Sequence, residues 1–151
     1  MKTVKSGDEF VTQVEFKTDK AIAWQAMDAL IVYDKIAFAS DINSLILLES
    51  VKGKTAGHAA SVHSEGLRIA LQLKIEQSAL NIVPILTVAW RVRSGAMVGV
   101  YEFVFVAKES FVVNAQNKEV QTGYDGASLE VKASIPDDDK YTFVMQVRII
   151  E

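Results

Sequence analysis

Two histidines, His58 and His63, stand out first as residues whose type and spacing could do chemistry in this 151-residue chain. They sit five positions apart in the small-residue stretch 57–63, with Glu65 the only carboxylate close by. A metal site wants at least three convergent ligands. On a strand, positions 58 and 63 would face opposite sides, so the expectation is two solvated loop residues and no metal site. Ser61, Ser64 and several aspartates supply the parts of a Ser-His-Asp triad, but no Gly-x-Ser-x-Gly elbow singles out a nucleophile. The run Asp137-Asp138-Asp139 resembles part of a calcium loop, and Asp8, Glu9 and Asp19 are further oxygen donors. The glycine and closing glutamate of the twelve-residue loop are missing, so a solvated turn primed by Pro136 is the preferred reading. No glycine-rich phosphate loop is present. Trp24, Trp90, Tyr33, Tyr101 and Tyr124 are candidates for a sugar-stacking platform, with Trp24 and Trp90 read as core because they lie in apolar strands. No catalytic, cofactor-binding or metal-binding residue is assigned, and no cofactor is expected.

Composition narrows the classes further. With no cysteine, a disulfide scaffold, a thiolate zinc site and a cysteine nucleophile are excluded. Half the residues are hydrophobic and 23% charged, the balance of a globular chain. Sixteen basic against nineteen acidic residues give a net charge of -3, which argues against a nucleic-acid binder. The stretches 21–33 and 97–107 are too short and too interrupted, by Gln25, Asp28 and Glu102, to cross a membrane as helices. The N-terminal nine residues have no apolar core of the signal-peptide kind. A soluble protein without nucleic-acid or membrane partners is expected.

The elements that must position any site are read from alternation. Phe10, Val14 and Phe16 share one face, and Gln13 and Glu15 point the other way. Leu67, Ile69, Leu71, Leu73 and Ile75 line one side of 67–75, opposite Arg68, Gln72 and Lys74. A strand collects those five residues, whereas a helix scatters them. Residues 141–150 repeat the pattern, and a paired closing strand is expected there. Further strands are expected at 22–33, 85–92, 98–107, 110–114, 119–122 and 128–133, with 98–107 apolar on both faces and so central or covered by a partner. Residues 41–50 suit a strand or a short helix opened by Asp41. Ser6-Gly7-Asp8-Glu9 reads as a turn before a strand. Turns at this spacing mark a sandwich or barrel, and one domain over 1–151 is expected.

Residues from about 4 to 107 resemble the cohesin modules and related carbohydrate-binding-like jelly rolls. Val4, Gly7 and Phe10 are similar to a family opening V-x-x-G-x-x-F, 22–34 to a long strand ending in the Tyr33-Asp34 pair, and 66–70 with 86–93 to the late strands. The resemblance implies an all-β, two-sheet antiparallel sandwich of nine or ten strands. Cohesins normally stand in secreted scaffolds beside Pro- and Thr-rich linkers, and neither leader nor linker is evident in this sequence. The sequence reading therefore favours a non-enzymatic structural protein of a virus particle, a bacteriophage capsid decoration acting through contacts with capsid subunits or its own copies. Its alternatives are a cohesin-like adhesion module binding a dockerin-type partner, then a carbohydrate-binding module. The expected location is the virion, or the extracellular space for the alternative.

Overall fold

The computed structural model describes residues 1–132. Eight strands are present there: β1 (Lys2–Val4), β2 (Glu9–Val32), β3 (Phe38–Leu47), β4 (Thr55–Val62), β5 (Leu67–Val92), β6 (Gly99–Phe105), β7 (Phe111–Val113) and β8 (Ala127–Val131). β2 has 24 residues, and a straight strand of that length would run about 80 Å, far beyond the width of a domain of this size. β2 therefore bends. Phe16 and Trp24 would stand about 26 Å apart on a straight strand, yet their rings meet edge to face at 4.8 Å. The register with β5 jumps between Thr18 and Ile22, opposite Leu80 and Asn81, where Asn81 takes a φ of 62°.

The bend gives each long strand two arms. Arms 9–18 of β2 and 81–92 of β5 form one layer with β3 at its edge. Arms 22–32 of β2 and 67–79 of β5 form the other, with β4 on the β5 side and β7 and β6 on the β2 side. β8 and β1 continue that layer beyond β6, and the β1–β8 ladder is the one parallel pairing among the described residues.

Between the layers lies an aromatic core. Trp90 from the first layer meets Tyr33 at 4.7 Å and Phe103 at 5.0 Å from the second, and stacks beside Phe10. Phe38 packs on Phe10, Tyr101 and Phe103. The opening motif now has its physical reason: Val4 and Phe10 are buried, and Gly7 turns the chain between them at a φ of 87°, a region that disfavours other residues. The Tyr33-Asp34 pair is explained likewise, since Tyr33 enters the core and Asp34 Oδ1 accepts the N–H groups of Ile36 and Ala37.

Several expectations are corrected. The stretch 57–63 is no loop: its residues through Val62 belong to β4, because ladder bonds to β5 outweigh the weak strand preference of alanine and glycine. Residues 41–50 contain no helix; β3 runs to Leu47 with a bulge between Asp41 and Ile46. Ile75 leaves the core face of its strand and is 72% exposed, because it lies in a bulge of β5 between Gln72 and Gln77, which oppose Ala26 and Trp24. Residues 119–122 make only an isolated bridge from Glu119 to Val113. The strand expected at 98–107 is Gly99–Phe105; it is central in the sheet as expected, between β2 and β8, but its outer face, with Val100 and Val104, is exposed. The closing strand expected at 141–150 and the acidic run 137–139 lie outside the described residues.

Candidate functional site

The two outer faces of the sandwich differ. On the first layer, Glu9 pairs with Arg91, Gln13 donates to Glu15, and Asp41 and Lys17 are exposed. That surface interleaves these charged and polar groups with the exposed apolar side chains of Val11, Ile46 and Ile82. On the second layer, register sets out cross-strand rows: Ser61, Arg68 and Leu30; Ala59, Ala70, Asp28 and Phe111; Gly57, Gln72, Ala26 and Val113. Paired residues of an antiparallel ladder share a face, so these rows form one sheet surface with many small side chains.

Two residues 40 positions apart in sequence neutralise each other at its centre. Arg68 donates to Asp28 Oδ1 at 2.6 Å, and the same nitrogen lies 3.3 Å from the Glu109 carbonyl. Leu30, on the same face, is 1% exposed. The helical turn Ala107–Glu109 packs beside its strand, and Ser110 fastens that turn down. Ser110 Oγ donates to the Val106 carbonyl at 2.8 Å and accepts the Leu30 N–H at 3.1 Å. Ser110 is the sole buried polar residue among those described, and Phe111 follows it onto the face at 41% exposure. Beyond Leu30, Val32 pairs with Val104, and both are exposed, with Val100 further along β6. The result is a broad surface with an internally paired charge, an aromatic knob and an exposed valine stripe, the composition that protein contacts favour at their centres. Ser110→Ala is expected to cost about 1–3 kcal/mol by orphaning the Leu30 N–H, measured as a lowered urea midpoint with unchanged slope.

The residues singled out in the sequence are dispersed or unsupported. His58 lies within β4 and His63 in the hairpin turn after it, and no three His, Cys, Asp or Glu side chains converge among the described residues. Ser61 Oγ and His63 Nε2 are 2.7 Å apart, but both are exposed and no carboxylate among the described residues orients the imidazole. Asp8 closes the turn ahead of β2, accepting the Lys5 N–H at 2.9 Å. Trp24 and Trp90 are buried, which removes them from any sugar platform, and Tyr101 is half-buried against Phe38 with its hydroxyl donating to the Met97 carbonyl. An open groove of about 680 Å³ runs between the layers beside β2, lined by Phe16, Trp24, Phe105, Val112 and Tyr124. Burial pushes the Tyr124 phenol above its usual range, opposed by a hydrogen bond with Thr122 and reinforced by Glu119.

Arg68, Asp28 and Phe111 carry the face, and the sequence reading did not select them. The available signal was Asp28, a carboxylate within an apolar strand that needed a cation from elsewhere.

No protein-family model matches the chain, and no curated protein matches it in sequence. Solved structures match in fold. A cohesin in an OlpA cohesin–dockerin complex from Clostridium thermocellum superposes with a TM-score of 0.69 at 16% identity, over 87% of this chain and 94% of that one. The seventh ScaB type I cohesin from Pseudobacteroides cellulosolvens gives 0.66 at 20% identity, over 89% of each chain. A non-cellulosomal cohesin from the archaeon Archaeoglobus fulgidus gives 0.66 at 8% identity, over 87% of this chain and 86% of that one. The chain therefore has the cohesin-type β-sandwich fold, and at these identities the likeness extends to the fold alone.

Proposed function

We propose that this protein is a non-catalytic binding module that docks a protein partner on the outer face formed by β4, β5, β2, β7 and β6. The observation that carries this reading is the neutral surface around Arg68 and Asp28 with Phe111 standing beside it. A charge pair satisfied within the module leaves a flat surface that a partner can cover without stranding an ion. Support from outside the chain comes from the fold's solved neighbours, among them a cohesin described in complex with a dockerin. A dockerin-type domain is accordingly the first partner to try.

The virion setting read from the sequence uses the same kind of contact, with the exposed valines of β6 against capsid subunits. The named neighbours are cohesins, so partner binding in the cohesin manner takes precedence. Titration calorimetry of the chain against purified dockerins, with and without calcium, tests it. Phe111→Ala is expected to weaken a positive interaction about tenfold or more, the effect of losing a central aromatic anchor. Binding that ignores both Phe111→Ala and Arg68→Ala would place the partner elsewhere and sink the assignment of this face. Failure to bind any dockerin, together with capture by purified capsids, would favour the virion reading.

A further inference from the structure

We propose that β4 is a self-association edge, at which two copies of this chain join antiparallel about a two-fold axis through Ala60. Backbone geometry leads there. His63 and Gly66 bond reciprocally, His63 N–H to the Gly66 carbonyl at 2.8 Å and Gly66 N–H to the His63 carbonyl at 3.3 Å. Ladder alternation then turns the N–H and C=O groups of Ser61, Ala59 and Gly57 toward β5, and those of Val62, Ala60 and His58 outward. Among the described residues β4 pairs with β5 alone. Its outward groups form a template for another strand.

Free edges are ordinarily guarded by charges, prolines or bulges. Among the described residues β2 over 9–18 pairs with β5 alone, and it carries Glu9, Glu15 and Lys17, while β3 is interrupted by its bulge between Asp41 and Ile46. β4 has no charged residue and no proline, its side chains are mostly small, and its one register shift lies at its start, between Thr55 and Gly57.

The flanking charges identify the occupant as a second copy. Lys52 and Lys54 precede β4 and Glu65 follows it, all exposed and none in an ion pair among the described residues. Antiparallel joining lays the lysine end of each strand against the Glu65 end of its mate, twice by symmetry, whereas parallel joining would oppose like charges. A two-fold axis through Ala60 places His58 opposite Val62 of the mate, a pairing without a clash of charge. Joined this way, the second layers of two copies become one sheet and their outer faces lie side by side. The proposal does not rest on the identity of any binding partner.

Sedimentation equilibrium of the full chain tests it without any partner present. The wild type is expected to move from 16.6 kDa toward twice that mass as its concentration rises. Ala60→Pro removes an outward N–H, which edge strands tolerate. It is expected to weaken dimerisation at least about tenfold, since the symmetric contact loses two ladder bonds at once. Lys54→Glu and Glu65→Lys should each weaken the dimer alone, and an equimolar mixture of the two should restore it, because every flanking contact in the mixed dimer again joins opposite charges. That mixture decides the matter if Ala60→Pro disturbs folding, judged by tryptophan emission. A wild type that stays monomeric up to about 1 mM, where weak association already shows, overturns the proposal. So does a dimer whose charge variants gain nothing on mixing.

Discussion

Trp90→Ala is expected to destabilise the protein by about 3–5 kcal/mol, the range for truncating a buried tryptophan. The size follows from where the ring sits. Trp90 is 2% exposed and meets Phe10, Tyr33 and Phe103, so it is held by its own layer and by the one facing it. Its indole N–H donates to Thr12 Oγ1 at 2.8 Å, tying β5 to β2 across their ladder. An alanine there leaves a cavity between layers that cannot close without shifting both arms of the bent strands. Against a typical total of about 5–15 kcal/mol, that loss brings the fold close to its limit. Trp90→Phe keeps most of the contact area and is expected to cost roughly half as much, with the Thr12 hydroxyl left to water. Urea unfolding followed by far-ultraviolet dichroism measures both. A change below about 1 kcal/mol for the alanine variant would mean that the aromatic cluster does not lock the layers together.

Trp90 also marks how much of the fold can be read from sequence. Its strand alternates Leu86, Val88, Trp90 and Val92 inward, and all four are buried. Phe10 and Val14 behave likewise, as do Leu67 through Leu73 on the other layer. Period-two burial is a local property of each strand, so the sequence displays it. The bends of β2 and β5 are not local: they rest on register jumps between arms whose pairing spans most of the chain, and Ile75 accordingly reads as core while standing in solvent. β4 was illegible for another reason. Alanine, glycine and serine carry little strand preference, and only the neighbouring β5 ladder makes 55–62 a strand.

The candidate face was harder to see than the core. Arg68 was legible as an outward residue and Asp28 as an oddity in an apolar run, but nothing local joins positions 40 apart. Phe111 lies in a three-residue strand after a helical turn, and its exposure depends on Ser110 being drawn inward. Alternation could place each residue on a face. Only the register between strands could say which faces coincide.

The sharpest test of that register is Gly66→Ala, expected to cost about 3 kcal/mol or more. Gly66 closes the hairpin that sets β4 on β5, and it is buried with a φ of 156°, which other residues rarely adopt. A methyl group there would drive into the backbone carbonyl of Ile31 and against the Cα of Val32. Neither is the end of a flexible side chain, so β2 or the hairpin must move. Ile31 and Val32 also hold β6 through Phe105 and Val104. The displacement should therefore reach both sides of the outer face, the Ser61–Arg68 row and the Val32–Val104 pair. Gly57→Ala is the control from the partner strand: open space surrounds its Cβ position and its backbone is ordinary, so a change within about 0.5 kcal/mol is expected. Thermal unfolding of the two variants side by side separates steric conflict from the loss of a glycine. Equal stabilities would show that the Gly66 hairpin can shift freely, and that the register of β4 is set by something other than this close approach.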